Sequence, residues 1–268
     1  KEYRRQRQMC IRDSSTIVQG TFLTPNGDSI PNVSVKLTGG ASTSDVVSTN
    51  KGRYSVTGFA GGSYQLIPSK NNDVSRSNGV STLDILKIQS HILRIDSLNS
   101  PYKIIAADVN NSGTVTSLDI LYIRKLILGS LTSFPGDRLW NFVDASQTFT
   151  DNYNPFPYSS FKTYTSLSAL SNQNFKGVKL GDVTYDWNPN ILRSSFAGDI
   201  ELYTDTVRYV NGDTVRVLFR ANKFANVKGM QFTLGWDASD LHFAGVGNNP
   251  LNMQFGTHRT DDGLLSLQ

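Results

Sequence analysis

Two segments of the chain space oxygen-bearing side chains at the intervals a hard cation needs. In DVNNSGTVTSLD, Asp108, Asn110, Ser112 and Asp119 stand at positions 1, 3, 5 and 12. Gly113 takes the sharp turn at position 6, and the Thr114 carbonyl stands at position 7. In such a loop alternate side chains converge on one ion, and the twelfth residue reaches back from the first turn of the following helix. An irregular set of oxygen donors suits calcium better than magnesium, which demands a tighter octahedron. DVSRSNGVSTLD repeats the arrangement with Asp73, Ser75, Ser77, the Gly79 carbonyl and Asp84, and Asn78 stands where glycine is usual. Asparagine tolerates a left-handed backbone better than most residues. Each loop supplies two carboxylates, so dissociation constants of roughly 10⁻⁵ to 10⁻³ M are expected, a range that extracellular calcium fills and cytosolic calcium does not. The alternative is a pair of solvated Asx-turns capping two helices, with no metal.

The loops are copies of one unit at an offset of 35 residues: Asp73 falls on Asp108, Leu83 on Leu118, Asp84 on Asp119, Ile88 on Ile123 and Ile92 on Ile127. Each is followed by a segment whose apolar residues recur at spacings of three and four, such as Ile85, Ile88 and Ile92, which predicts a helix. The stretches before the loops, SYQLIPSKNN and PYKIIAA, read as extended, so each unit is expected to be a loop plus an exiting helix. Two such half-hands in tandem resemble type I dockerins, and the wording NGVSTLDILKIQSHIL … AADVNNSGTVTSLDILYIRKLILG is similar to the form found in large secreted bacterial proteins. The likeness continues more loosely through Trp140 and the phrase FKGVKLGDV at 175–183.

That resemblance implies a non-catalytic assembly module in which calcium, at two sites, fixes two helices whose exposed faces dock on a cohesin. The corresponding partner-binding positions are Thr82, Leu83, Gln89 and Ser90 in the first repeat and Ser117, Leu118, Arg124 and Lys125 in the second. A polar pair in one copy and a basic pair in the other make the two faces unlike, so a symmetric dual binding mode is not expected. The implied setting is extracellular or at a bacterial cell surface, in connection with polysaccharide degradation.

The expected fold class is multidomain and mainly β: an immunoglobulin-like sandwich, a small helical dockerin, then a partial sandwich. Residues 15–69 alternate as strands do, with Val33, Val35 and Leu37 on one face, Tyr54, Val56 and Phe59 before the Gly61-Gly62 turn, and Tyr64 and Leu66 after it. Their succession of G-x-F-x-T-P-N-G, N-V-x-V-x-L and G-x-Y-x-L-x-P resembles carboxypeptidase-regulatory-like or Cna-B-like spacer domains. The dockerin-like repeats occupy 70–132. Residues 133–194 hold Trp140, Phe142, Phe149, Phe156, Tyr158, Phe161 and Tyr164 among turn residues and prolines. This stretch reads as an irregular extension that packs on the dockerin helices, with one short helix at TSLSALSNQNF; an adhesin-like surface that stacks sugar rings is the alternative. In 195–268 strands return, with Val215, Val217 and Phe219 on one face and Met230, Phe232 and Leu234 on another. GDTVRVLFRA … VKGMQFTLGWDASDLHFAGV resembles a cohesin-like sandwich that is cut short, which raises docking within the same chain as a second arrangement. Residues 1–14, with the single cysteine Cys10, resemble a sequencing remnant and are set aside.

Composition excludes several functions. The 26 basic and 22 acidic residues give +4, and the first 14 residues carry five basic against two acidic, hence +3 of that total. The remainder is near neutral and lacks the basic stripe that phosphate binding needs, so a nucleic-acid partner is not expected. No apolar run approaches the roughly 20 residues of a membrane-spanning helix. The three histidines, His91, His242 and His258, are isolated, and no nucleophile elbow or phosphate loop is present.

Overall fold

A computed structural model of the chain describes residues 15–39, 42–189, 201–222, 230–249 and 253–267. The readings made for residues 1–14 lie outside these. The chain divides into two units, Lys1–Ile127 with Leu131–Pro189 and Leu128–Ser130 with Asn190–Gln268.

In the first unit, the opening strands are β1 (Ser15–Leu23), β2 (Ser34–Gly39), β3 (Ser42–Val47), β4 (Arg53–Phe59) and β5 (Tyr64–Ser69). Their alternation drives burial: Val18, Val33, Val35, Leu37, Tyr54, Val56, Tyr64 and Leu66 all point inward. Phe59 is exposed, because it lies one residue out of phase with Tyr54 and Val56. Gly58 holds the inward position instead, and the Leu37, Tyr64 and Leu167 side chains close over it.

These strands do not complete the sandwich. β6 (Trp140–Asp144), β7 (Lys162–Tyr164) and β8 (Phe175–Lys179) come from the stretch read as an irregular extension. They enter both sheets, giving the orders β4-β1-β8-β6 and β3-β2-β5-β7. β8 pairs in parallel with the end of β1 at Phe22 and Leu23, and β7 pairs with β5. Phe22 lies against Tyr54, Phe142 and Phe175, so rings from both chain segments share one core. TSLSALSNQNF is extended rather than helical. It runs along β1, exchanging Gln19 N–H to Leu170 O and Leu170 N–H to Ile17 O, because β1 otherwise leaves that edge unpaired. The dockerin-like repeats are therefore an insertion between β5 and β6 of one sandwich.

The insertion contains α1 (Thr82–Ile92), α2 (Pro101–Ala107) and α3 (Ser117–Ile127). α1 and α3 pack against each other, and Ile85, Ile88, Ile123 and Leu126 are their buried apolar residues. α2 corrects the extended reading of PYKIIAA. Pro101 sits in the first turn, where its missing N–H costs nothing, and Ile104 to Ala107 are buried. The second loop thus lies between two helices, whereas the first follows a strand, β5, as expected.

The second unit contains β9 (Glu201–Thr204), β10 (Phe219–Asn222), β11 (Phe232–Gly235), β12 (Phe255–Gly256) and β13 (Leu264–Leu267). They form a β9–β10 pair and a three-stranded sheet of order β11-β13-β12. Val215 and Val217 lie outside the strands, and Val217 and Phe219 are exposed, so the alternation there does not bury a face among the described residues. No helix among the described residues is long and apolar enough to cross a membrane.

Candidate metal centre

The second loop gathers the residues its spacing brings together. Asp108 closes α2 and turns both carboxylate oxygens into the loop. Oδ1 accepts the Ser112 N–H at 2.9 Å and Oδ2 the Gly113 N–H at 2.8 Å. Asn110 Oδ1 accepts the same Ser112 N–H at 2.9 Å, and the Ser112 hydroxyl donates to the Thr114 carbonyl at 3.0 Å. Asp119, in the first turn of α3, holds Thr116 with Oδ2 and reaches back with Oδ1 to the Asn110 N–H at 3.2 Å. The backbone bends this sharply through left-handed residues at Asn111 and Gly113, at φ +62° and +79°.

Asp108 and Asp119 are 1% and 0% exposed, and no lysine or arginine among the described residues forms an ion pair with either. Burial pushes the Asp119 carboxyl above its ordinary range and the Asp108 charge adds to the rise, against donors from Thr116 and Asn110. Two buried carboxylates without a counter-cation form a costly arrangement that a divalent ion would relieve. No group of three His, Cys, Asp or Glu converges among the described residues. A cation here would therefore also draw on the Asn110 amide, the Ser112 hydroxyl and the Thr114 carbonyl, a hard oxygen set suited to calcium. The residues of this loop fit the ion.

The first loop is built differently. Asp73 Oδ2 accepts from Lys179 Nζ at 2.7 Å and from the Trp140 indole N–H at 2.8 Å, while Oδ1 pairs with Lys70 Nζ at 3.2 Å. Register explains the convergence: Trp140 in β6 stands directly opposite Lys179 in β8, so both side chains rise from the same face of the sheet. Burial would push the Asp73 carboxyl up, but the charge and hydrogen bond of Lys179, with Trp140 and Lys70, hold it below the usual range. Asp84 is equally engaged. Oδ2 accepts from the Ser81 N–H and hydroxyl in a capping box, and Oδ1 from the Val183 N–H, the Thr184 N–H and the Thr184 hydroxyl. The left-handed residue is Gly79, at φ +80°, not Asn78, so the turn is displaced by one residue from the second loop. Asp73, Ser75, Ser77, Gly79 and Asp84 do not reproduce the arrangement of the second loop: Asp73 is paired with two lysines, whereas Asp108 accepts only from backbone and hydroxyl donors.

Sequence reasoning passed over Lys70, Lys179, Val183 and Thr184. Within FKGVKLGDV only a lysine ending a strand opposite a tryptophan hinted at the first of these contacts. Trp140, read as a sugar-stacking candidate, is buried with its ring edge-on to Trp187 at 4.7 Å and beneath Lys179, so it offers no ring to a glycan. Of the docking positions, Leu83 and Leu118 are 47% and 46% exposed, and Leu121, not singled out from the sequence, is equally open. Gln89, Ser117 and Lys125 are exposed; Thr82, Ser90 and Arg124 are partly so.

No curated protein and no solved structure matches the chain. A family model does: residues 71–128, the helical insertion with both of its loops, match the Dockerin type I domain, a non-catalytic, calcium-binding kind of module that serves cohesin-based assembly.

Proposed function

We propose that the insertion binds calcium through Asp108, Asn110, Ser112, the Thr114 carbonyl and Asp119, and that α1 and α3 then present Leu83, Leu118 and Leu121 to a cohesin. The observation that carries this reading is the convergence of the two buried, cation-free carboxylates of Asp108 and Asp119 within one loop. Calcium fixes the start of α3, where Ser117 and Leu118 lie, so the ion and the docking face are linked through a single helix turn. The chain would act without catalysis, as an assembly module of a secreted or cell-surface bacterial protein. Millimolar calcium outside the cell suits a site with only two carboxylates.

The sandwich serves as the base. Because the insertion leaves from β5 and returns to β6, both of its ends are anchored in neighbouring parts of one core, and β5 and β6 pack together. A cohesin should be retained by the full chain in millimolar calcium and released by EDTA. Leu118→Asp should weaken that retention about tenfold or more, since truncated or charged anchors at an interface typically cost over 1 kcal/mol. Retention that ignores both EDTA and Leu118→Asp would refute the reading.

A further inference from the structure

We infer that the first loop takes no metal: the Lys179 ammonium stands in the cation's place and clamps the helical insertion to the sandwich whether or not calcium is present. The two repeats share their carboxylate positions, and besides the displaced turn the difference comes from outside the loop. Lys179 ends β8, a sandwich strand, and its side chain is 2% exposed, while the Asp73 and Lys70 side chains it meets are 5% and 4% exposed. Besides Asp73, the ammonium donates to the Arg76 carbonyl at 3.0 Å, between the candidate ligand positions Ser75 and Ser77. With Lys70 also pairing with Asp73 and donating to Asn72 Oδ1 at 2.6 Å, two buried cations flank the loop's first carboxylate. A calcium ion entering beside them would meet strong repulsion and would have to expel a desolvated, hydrogen-bonded ammonium.

The far end of the loop is closed in the same way. Asp84, the twelfth residue, spends one oxygen on its own helix cap and the other on Val183 and Thr184, just beyond β8. Both carboxylates of the first loop therefore tie the insertion to one short stretch, 179–184, of the sandwich. Among the described residues the carboxylates of the second loop make no such ties, although Arg138 donates to the Val109 carbonyl at 3.3 Å, and those carboxylates are left to an external ion. Calcium would then order one half of the module while the other half stays fixed without it.

Calcium titration by calorimetry of the full chain tests this, with the second loop disabled in two ways, Asp119→Asn and Asp108→Asn, and folding verified by circular dichroism. Neither variant should take up calcium; uptake of one ion by either would overturn the inference. The unaltered chain should take up one ion, and two would overturn it. No uptake by the unaltered chain would agree with a metal-free first loop and would instead contradict the calcium reading of the second. Hydrogen exchange on the unaltered chain gives an independent readout. The amides of Val183 and Thr184, held by Asp84, should keep their protection in EDTA, and its loss there would overturn the inference.

Discussion

The two loops began as copies, with Asp73 and Asp84 matching Asp108 and Asp119 at one offset, yet they treat their first carboxylate in opposite ways, while the twelfth, Asp84 or Asp119, is pushed above its ordinary range by burial in both. In the first, the protein supplies the cations, Lys179 and Lys70, and the Asp73 carboxyl is held below its usual range. In the second, no described lysine or arginine pairs with the carboxylates, and Asp119 is pushed above its range by burial and by Asp108. A repeated carboxylate pattern is thus a demand for positive charge rather than for a metal. The surrounding fold decides whether a side chain or an ion meets it.

The largest expected effect that separates the loops comes from Lys179→Met, which keeps the apolar stem and removes the charge. Breaking a buried pair leaves Asp73 inadequately compensated and should cost about 3 kcal/mol. Urea unfolding should show a lowered midpoint at unchanged slope, by the same amount in calcium and in EDTA. A loss under about 1 kcal/mol would mean that Lys70 alone balances the loop, and the contrast would weaken.

The turn glycines sharpen the contrast at a smaller scale. Gly113 has φ +79° with open space where a Cβ would point, so Gly113→Ala should cost about 1 kcal/mol, the backbone term alone. At Gly79, φ is +80° and a Cβ would stand 2.7 Å from Asp182 Oδ2 and from the Trp187 backbone. Gly79→Ala should therefore cost about 2 to 3 kcal/mol, since the overlap with a packed segment adds to the backbone strain. Equal losses by thermal or urea unfolding would show that the first loop is not wedged against 182–187.

Much of this was legible in the sequence. Period-2 alternation located β1, β2, β4 and β5 but not β3, and the 35-residue repeat with its 3–4 spacing located α1 and α3. In the second loop, Asp108, Asn110, Ser112 and Asp119, singled out by spacing, are joined by hydrogen bonds within one turn of chain. Other features depended on partners distant in the chain. β6, β7 and β8 are three to five residues long, and their role depends on which edge they meet: β8 meets β1 at a separation of 153 residues, β7 meets β5 at 96 to 100, and β6 joins through β8. α2 was hidden because Pro101 reads as a breaker until it is seen at a helix start. The occupation of the first loop was hidden for the same reason as the strands. Lys179 is 106 positions from Asp73, and nothing local to DVSRSNGVSTLD announces it.

A smaller, pH-dependent effect belongs to the first loop's neighbourhood. Asp182 accepts the N–H groups of Tyr185, Asp186 and Trp187, but burial and the nearby Asp84 charge push its carboxyl up to about 7. A carboxyl raised in the folded state contributes stability that is fully present below its unfolded value of about 4 and is lost as pH rises towards the folded value. Asp182→Asn should flatten this part of the stability profile between about pH 4 and 7, measured by unfolding in EDTA. An unaltered profile would show that Asp182 does not titrate in that window.

The measurement closest to the central claim is thermal melting of the full chain and of Asp119→Asn, each in millimolar calcium and in EDTA. Calcium at 10 to 100 times its dissociation constant should stabilise the unaltered chain by about 1.4 to 2.7 kcal/mol and raise its melting temperature, while Asp119→Asn melts identically in both solutions. Identical melting of the unaltered chain with and without calcium, in a range where the ion should be bound, would contradict the assignment of the second loop as a calcium site.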